Sequence, residues 1–141
     1  IYPTLCELTG TGIPKKLDAK SLVPVITGKS AKVRDHMFNS YKECQRSIRD
    51  ERWKMIRYPL INKTQLFDLQ ADPHEMTDVS EKPEHAGRIQ ELLAVLQSHQ
   101  KQFGDKTPVL VVNPADPAWS PDMVSKTQGG KNSKLQCHTT N

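Results

Sequence analysis

The sequence predicts an α+β fold: a small antiparallel sheet of about four strands packed against one long amphipathic helix toward the C-terminus. Two patterns carry this expectation. Between residues 36 and 69 short runs of alternating apolar and polar side chains are separated by turn-forming residues, which is the mark of a half-buried meander. From Pro83 to Gly104 the apolar residues instead recur every three or four positions, the spacing of a helix with one buried stripe. The 141-residue length sets the scale, since a chain of this size can close one modest core without disulfides or metal.

In chain order, Pro3 suits a first helical turn, Leu5 and Leu8 share a face, and Gly10 and Gly12 end the pattern, so residues 3 to 9 read as a short helix. Leu17 to Ile26 contains Pro24 and runs to Gly28. It reads as an irregular crossing that pins Leu22, Val23 and Val25 on a neighbour. Strands follow at His36 to Tyr41, Gln45 to Arg49, Arg52 to Tyr58 and Thr64 to Leu69. Asp50-Glu51 and Asn62-Lys63 supply turns, and Pro59 stops the third strand. In that strand Trp53, Met55 and Arg57 oppose Lys54, Ile56 and Tyr58. In the fourth, Leu66 opposes Phe67 and Leu69.

Asp72-Pro73 breaks the strand pattern. The long helix begins with Pro83 in its first turn and Glu84 against the dipole. It carries Ile89, Leu92, Leu93, Leu96 and Phe103 on one stripe and stops at Gly104. Val109 to Val112 is apolar enough for an edge strand, although Pro108, Pro114, Pro117 and Pro121 forbid a long one. Trp119 reads as an anchor of this tail, and the polar mixture beyond Val124 as a segment without a core.

Composition narrows the function classes. No apolar run approaches a bilayer span, and no signal-peptide order opens the chain. It starts at Ile1, within what reads as an element interior, as a fragment or processed product would. Cys6, Cys44 and Cys137 are odd in number and lack a Cys-x-x-Cys pair, so a disulfide framework is not expected; Cys6 and Cys44 read as small buried side chains. From Lys29 to Lys63 ten basic residues stand against four acids, a stretch that would attract polyanions if exposed. Nucleic acid is not an expected partner, because no binding motif is recognisable and aromatic residues are few.

Four segments, taken in order, resemble the C-terminal portion of formylglycine-dependent sulfatases of the alkaline-phosphatase-like type. The first is Ile1-Tyr2-Pro3-Thr4-Leu5-Cys6-Glu7-Leu8-Thr9-Gly10 and the second Leu17-Asp18-Ala19-Lys20-Ser21-Leu22-Val23-Pro24. The third is Arg46-Ser47-Ile48-Arg49-Asp50-Glu51-Arg52-Trp53-Lys54-Met55-Ile56, and the fourth Gln65-Leu66-Phe67-Asp68-Leu69-Gln70-Ala71-Asp72-Pro73-His74-Glu75. The chain departs from the family pattern at Ala19, where glycine is usual, and at Met76-Thr77-Asp78, where an asparagine is common.

The resemblance implies three parts: residues 1–28 as the end of a catalytic α/β domain, 29–104 as the C-terminal subdomain, and 105–141 as a tail. It also implies a parent protein that hydrolyses sulfuric esters with calcium and a formylglycine, acts on a sulfated glycan or aryl sulfate, and is periplasmic or extracellular. The formylglycine arises from a Cys or Ser followed by Pro and Arg at fixed spacing, and none of the three cysteines here has that context. This chain is therefore expected to lack catalytic and metal-binding residues, to be inactive alone, and to have the N-terminal catalytic domain as partner. The alternative is an independent module that binds sulfated glycans through the basic sheet.

Tyr41, Gln45 and Arg46 are the candidate substrate-proximal residues, since an aromatic ring, an amide and a guanidinium at a strand edge can hold hydroxyls and anionic groups. The five histidines show no repeated ligand spacing. Asp72 reads as a turn cap, Trp53 as core, and Asn62-Lys63-Thr64 as a glycosylation-type triplet.

Overall fold

The computed structural model describes residues 1–116, which form two compact units, Ile1–Asp35 and a second beginning at His36. The expectations for Trp119 and for the stretch beyond Val124 lie outside the described residues.

The first unit contains α1 (Tyr2–Leu8) and α2 (Val23–Ile26). Pro3 occupies the first turn of α1, where its missing N–H costs nothing. The buried Thr4 hydroxyl of α1 accepts the Leu22 amide at 3.0 Å and so fixes the entry to α2. The irregular crossing therefore includes one helical turn. Pro24 permits it because it falls within the first two positions of α2.

The second unit holds four antiparallel strands in chain order, β1 (Met37–Tyr41), β2 (Gln45–Arg49), β3 (Trp53–Tyr58) and β4 (Lys63–Asp68). Their register follows from side-chain alternation. Phe38 pairs with Ile48, Ile48 with Met55, and Met55 with Leu66, which places these apolar side chains in one row on one face. Ile56, Tyr58 and Phe67 belong to the opposite face, where they cluster with Ile61 and Leu69.

Each turn has a chemical cause. Asp50 accepts the Arg52 and Trp53 amides at 2.8 and 2.6 Å and thereby closes the β2–β3 hairpin. Pro59–Ile61 forms a short 3-10 turn that ends at Asn62, whose left-handed φ of 52° redirects the chain into β4. The outer edge of β4 is capped, because the Asp78 carboxylate accepts the Leu66 amide and Val79 donates to the Leu66 carbonyl.

A 3-10 turn at Pro83–His85 leads into α3 (Ala86–Phe103), and Gly104 ends it at φ 70°. Leu92 and Leu96 sit at the centre of the core with Ile48, Met55 and Leu66. Ile89 and Leu93 flank them, while Phe103 is 40% exposed and stacks on Phe38. Val109 also packs on this core, yet residues 109–112 form no strand. Their backbone is held instead by side chains, among them Arg57 and Asn62. Cys44 is buried and disulfide-bonded, a pairing that its spacing does not announce, whereas Cys6 is a buried free thiol.

Candidate functional site

The β1–β2 hairpin presents the three residues singled out from the sequence, and strand geometry divides them. Tyr41 and Gln45 are direct cross-strand partners, so their side chains share one face. Arg46, the next residue, points to the other face. The Tyr41 ring is 59% exposed, with the Lys42 ammonium 5.5 Å from its centre. Gln45 is half-buried and starts a hydrogen-bonded row across the sheet: its amide donates to the Tyr58 hydroxyl at 3.4 Å, which donates to Gln65 at 2.9 Å. Burial pushes the Tyr58 hydroxyl above its ordinary pKa, so it stays a neutral donor at physiological pH.

Arg46 is buried, and its guanidinium donors are all engaged. Nε and Nη2 bind the two Asp105 oxygens at 2.5 and 3.0 Å, Nη2 also reaches the Thr107 hydroxyl, and Nη1 donates to the Lys42 and Gln45 carbonyls at 2.6 and 2.9 Å. The bidentate contact from Arg46, helped by Gln100 and Thr107, holds the Asp105 carboxyl well below the usual carboxylate range. Because Lys42 adopts φ 46°, the bond to its carbonyl braces a backbone conformation that a lysine seldom takes. Arg46 thus fixes the hairpin tip from behind and presents no free donor at the surface.

The basic stretch disperses in the same way. Arg46 and Arg57 are buried. Arg52 forms a two-pronged contact with Asp68, Lys54 binds Glu75 at 2.5 Å, and Lys32 binds Asp35 at 3.0 Å. Arg57 has only neutral acceptors, the Asn62 and Val109 carbonyls, the Asn62 amide oxygen and the Thr64 hydroxyl. Desolvation consequently lowers its pKa from that of a free arginine. Of the ten basic residues in this stretch, Lys29, Arg34, Lys42, Arg49 and Lys63 keep a charge without an acidic partner among the described residues.

These bonds also explain the two strand-region segments that carry the family resemblance. Arg52 and Lys54 belong to one and Asp68 and Glu75 to the other, so the paired motifs are structural staples. Asp72 caps its turn by accepting the Thr77 amide at 2.7 Å. Trp53 packs against the core between the Arg52 guanidinium and the His85 ring. The Asn62 side-chain amide is taken up on both sides by Val111. Glu43, Pro59, Leu60, Lys106, Thr107, Pro108 and Val111 line an open depression of about 380 Å³ behind the hairpin tip. Neither the bracing role of Arg46 nor that of Asp105 has a local sequence signal, since the two residues lie 59 positions apart.

Among the described residues no three His, Cys, Asp or Glu side chains converge on a point where a metal ion could sit, and no helix is long and apolar enough to cross a membrane.

The chain is 31% identical over 118 residues to an N-acetylglucosamine-6-O-sulfatase of Bacteroides thetaiotaomicron, covering 75% of this chain and 21% of the relative. A Delta 4,5-hexuronate-2-O-sulfatase of the same organism is 28% identical, with coverage of 83% and 26%. A solved protein in complex with its substrate D-glucosamine-2-N,6-O-disulfate superposes with a TM-score of 0.67 at 28% identity, covering 76% of this chain and 24% of that one. The chain thus spans about a quarter of the length of the relatives it matches. The model of the family described as N-sulphoglucosamine sulphohydrolase, C-terminal, matches residues 1–102, and the chain accordingly belongs to that family, the C-terminal region of sulfatases.

Proposed function

We propose that this chain completes the fold of a sulfuric ester hydrolase and flanks its substrate cleft, while an N-terminal catalytic domain supplies the nucleophile, formylglycine and calcium. The observation that carries this reading is the uncovered side of α1. Tyr2, Leu5 and Leu8 are 57%, 53% and 62% exposed on a helix of seven residues. Three large apolar side chains spaced three apart leave a patch that water disfavours and a partner surface would dry. The preceding catalytic domain is the occupant that the family and the chain's share of its relatives' length supply.

In this reading Tyr41 and Gln45 face the sulfated glycan or aryl sulfate, and Arg46 is a positioning residue that acts through the Lys42 carbonyl. The names of the relatives, with hexosamine and hexuronate sulfates, favour a sulfated glycan. Periplasmic or extracellular residence follows from the family resemblance, and cell fractionation checks it.

Side-by-side assays of the purified 141-residue chain and the full-length enzyme against an aryl sulfate test the proposal. Turnover is expected from the full-length enzyme only. Calcium-dependent turnover by the 141-residue chain overturns it. The independent polyanion module has less support, because the two buried arginines and the paired Arg52 and Lys54 leave little contiguous free charge.

A further inference from the structure

After Gly104 the chain continues without helix or strand, bending at Val109 and again at Val112 and Asn113, and its backbone is held at alternate residues from Thr107 to Val111. Gln100 Nε2 donates to the Thr107 carbonyl at 2.9 Å, and Arg57 Nε donates to the Val109 carbonyl at 2.6 Å. The Asn62 amide pairs with Val111 in both directions, donating to its carbonyl at 2.8 Å and accepting its N–H at 3.0 Å. Further along, Ala115 donates to the Leu60 carbonyl at 2.8 Å. From Thr107 to Val111 the contacts recur at every second residue, as along a strand, yet the partners are side chains from α3, from β3 and from the turn before β4.

Two features mark this row as a built site. Gln100 and Arg57 are each only 6% exposed, and burying a guanidinium with no carboxylate is costly unless its hydrogen bonds are filled. Val109 meanwhile is half-buried and packs against the core cluster of Ile48, Met55, Leu66, Leu92 and Leu96. The family match ends at residue 102, so this segment lies beyond the part that the family description covers.

We infer that Gln100, Arg57 and Asn62 form a groove that reads the backbone of a peptide at every second residue, and that this chain's own Thr107–Val111 stretch occupies it. Recognition through carbonyls and one N–H tolerates many side chains but rejects proline at the Val111 position, where the N–H is needed. The inference stands on contacts within the chain and is independent of the sulfatase reading.

Hydrogen exchange on the full 141-residue chain tests occupancy. Asn62→Gly keeps the left-handed turn, because glycine adopts positive φ freely, and removes only the amide. The Val111 amide is expected to be protected in the parent chain and to exchange about fivefold faster or more in the variant, the ratio set by one net hydrogen bond, with Leu96 unchanged. Free-peptide exchange at Val111 in the parent chain, or no change in the variant, overturns the inference. A second arm uses full-length Val111→Pro and a fluorescent peptide of residues 105–116. Binding to that variant and not to the parent chain is expected. Failure of Val111→Pro to bind while its circular dichroism matches the parent's, or tight binding by the parent chain, refutes the groove.

Discussion

Replacing Asp105 by asparagine removes one charge and one good acceptor while preserving shape. Arg46, which loses its only carboxylate, is buried, and the Asp105 side chain is 15% exposed. Breaking a buried pair outright costs about 3–5 kcal/mol. Here Thr107 and the Lys42 and Gln45 carbonyls remain as acceptors, and the asparagine oxygen replaces one of the two contacts. The expected loss is therefore nearer to that of one charged hydrogen bond, about 2 kcal/mol at pH 7. Urea unfolding followed by circular dichroism measures it. The pH dependence adds a second check. Because Asp105 is held below the usual range, the folded chain resists a proton that the unfolded carboxyl accepts near pH 3.9. Its contribution is complete above that value and drains as the pH falls toward the depressed folded value. The gap between parent and variant should thus shrink by about 1 kcal/mol on going from pH 7 to pH 3. Glu91→Gln, which removes a 68%-exposed partner of Arg88, is the control and should cost less than about 0.5 kcal/mol. A loss below about 0.5 kcal/mol for Asp105→Asn, or a gap that ignores pH, refutes the bracing role of the pair.

Leu96→Ala should destabilise the chain by about 2–5 kcal/mol in the same urea assay, because Leu96 is fully buried at the centre of the core. Tyr41→Ala should leave stability within about 0.5 kcal/mol, since the ring is exposed. In the full-length enzyme the same substitution should raise KM on a sulfated glycan with little change in kcat. A matched loss in both urea stability and kcat would place Tyr41 in the scaffold instead. On a heparin column the 141-residue chain should elute below physiological salt, and retention well above it would favour the polyanion module.

The sheet and the helix were legible because their cause is local. Met55 and Ile56, like Leu66 and Phe67, must face opposite ways in a strand, and in the structure each pair lies on opposite faces. Asp50 announces its turn through a side chain that reaches amides two and three residues ahead. The candidate site was only half legible. An exposed Tyr41 and a buried Arg46 look equally surface-bound in a strand of alternating polarity, and the carboxylate that buries Arg46 lies far along the chain. Arg57 is hidden more deeply, since its acceptors include backbone carbonyls that every sequence possesses. The apolar run at Val109 to Val112 suggested a strand from its hydrophobicity, yet Leu110 and Val112 are exposed and only Val109 and Val111 are half-buried. Hydrophobicity does not report whether the hydrogen-bonding partner will be backbone or side chain.

Strand order has a consequence for synthesis. Every strand in the sheet pairs with its immediate predecessor, so the hairpins can zip up as they leave the ribosome without waiting for a distant segment. Their oily side gains no such head start. Ile48, Met55 and Leu66 stay wet until translation has delivered Leu92 and Leu96, and during that interval the nascent sheet is open to wrong partners. The time between the last strand and the long helix is thus when a chaperone would matter most for this chain.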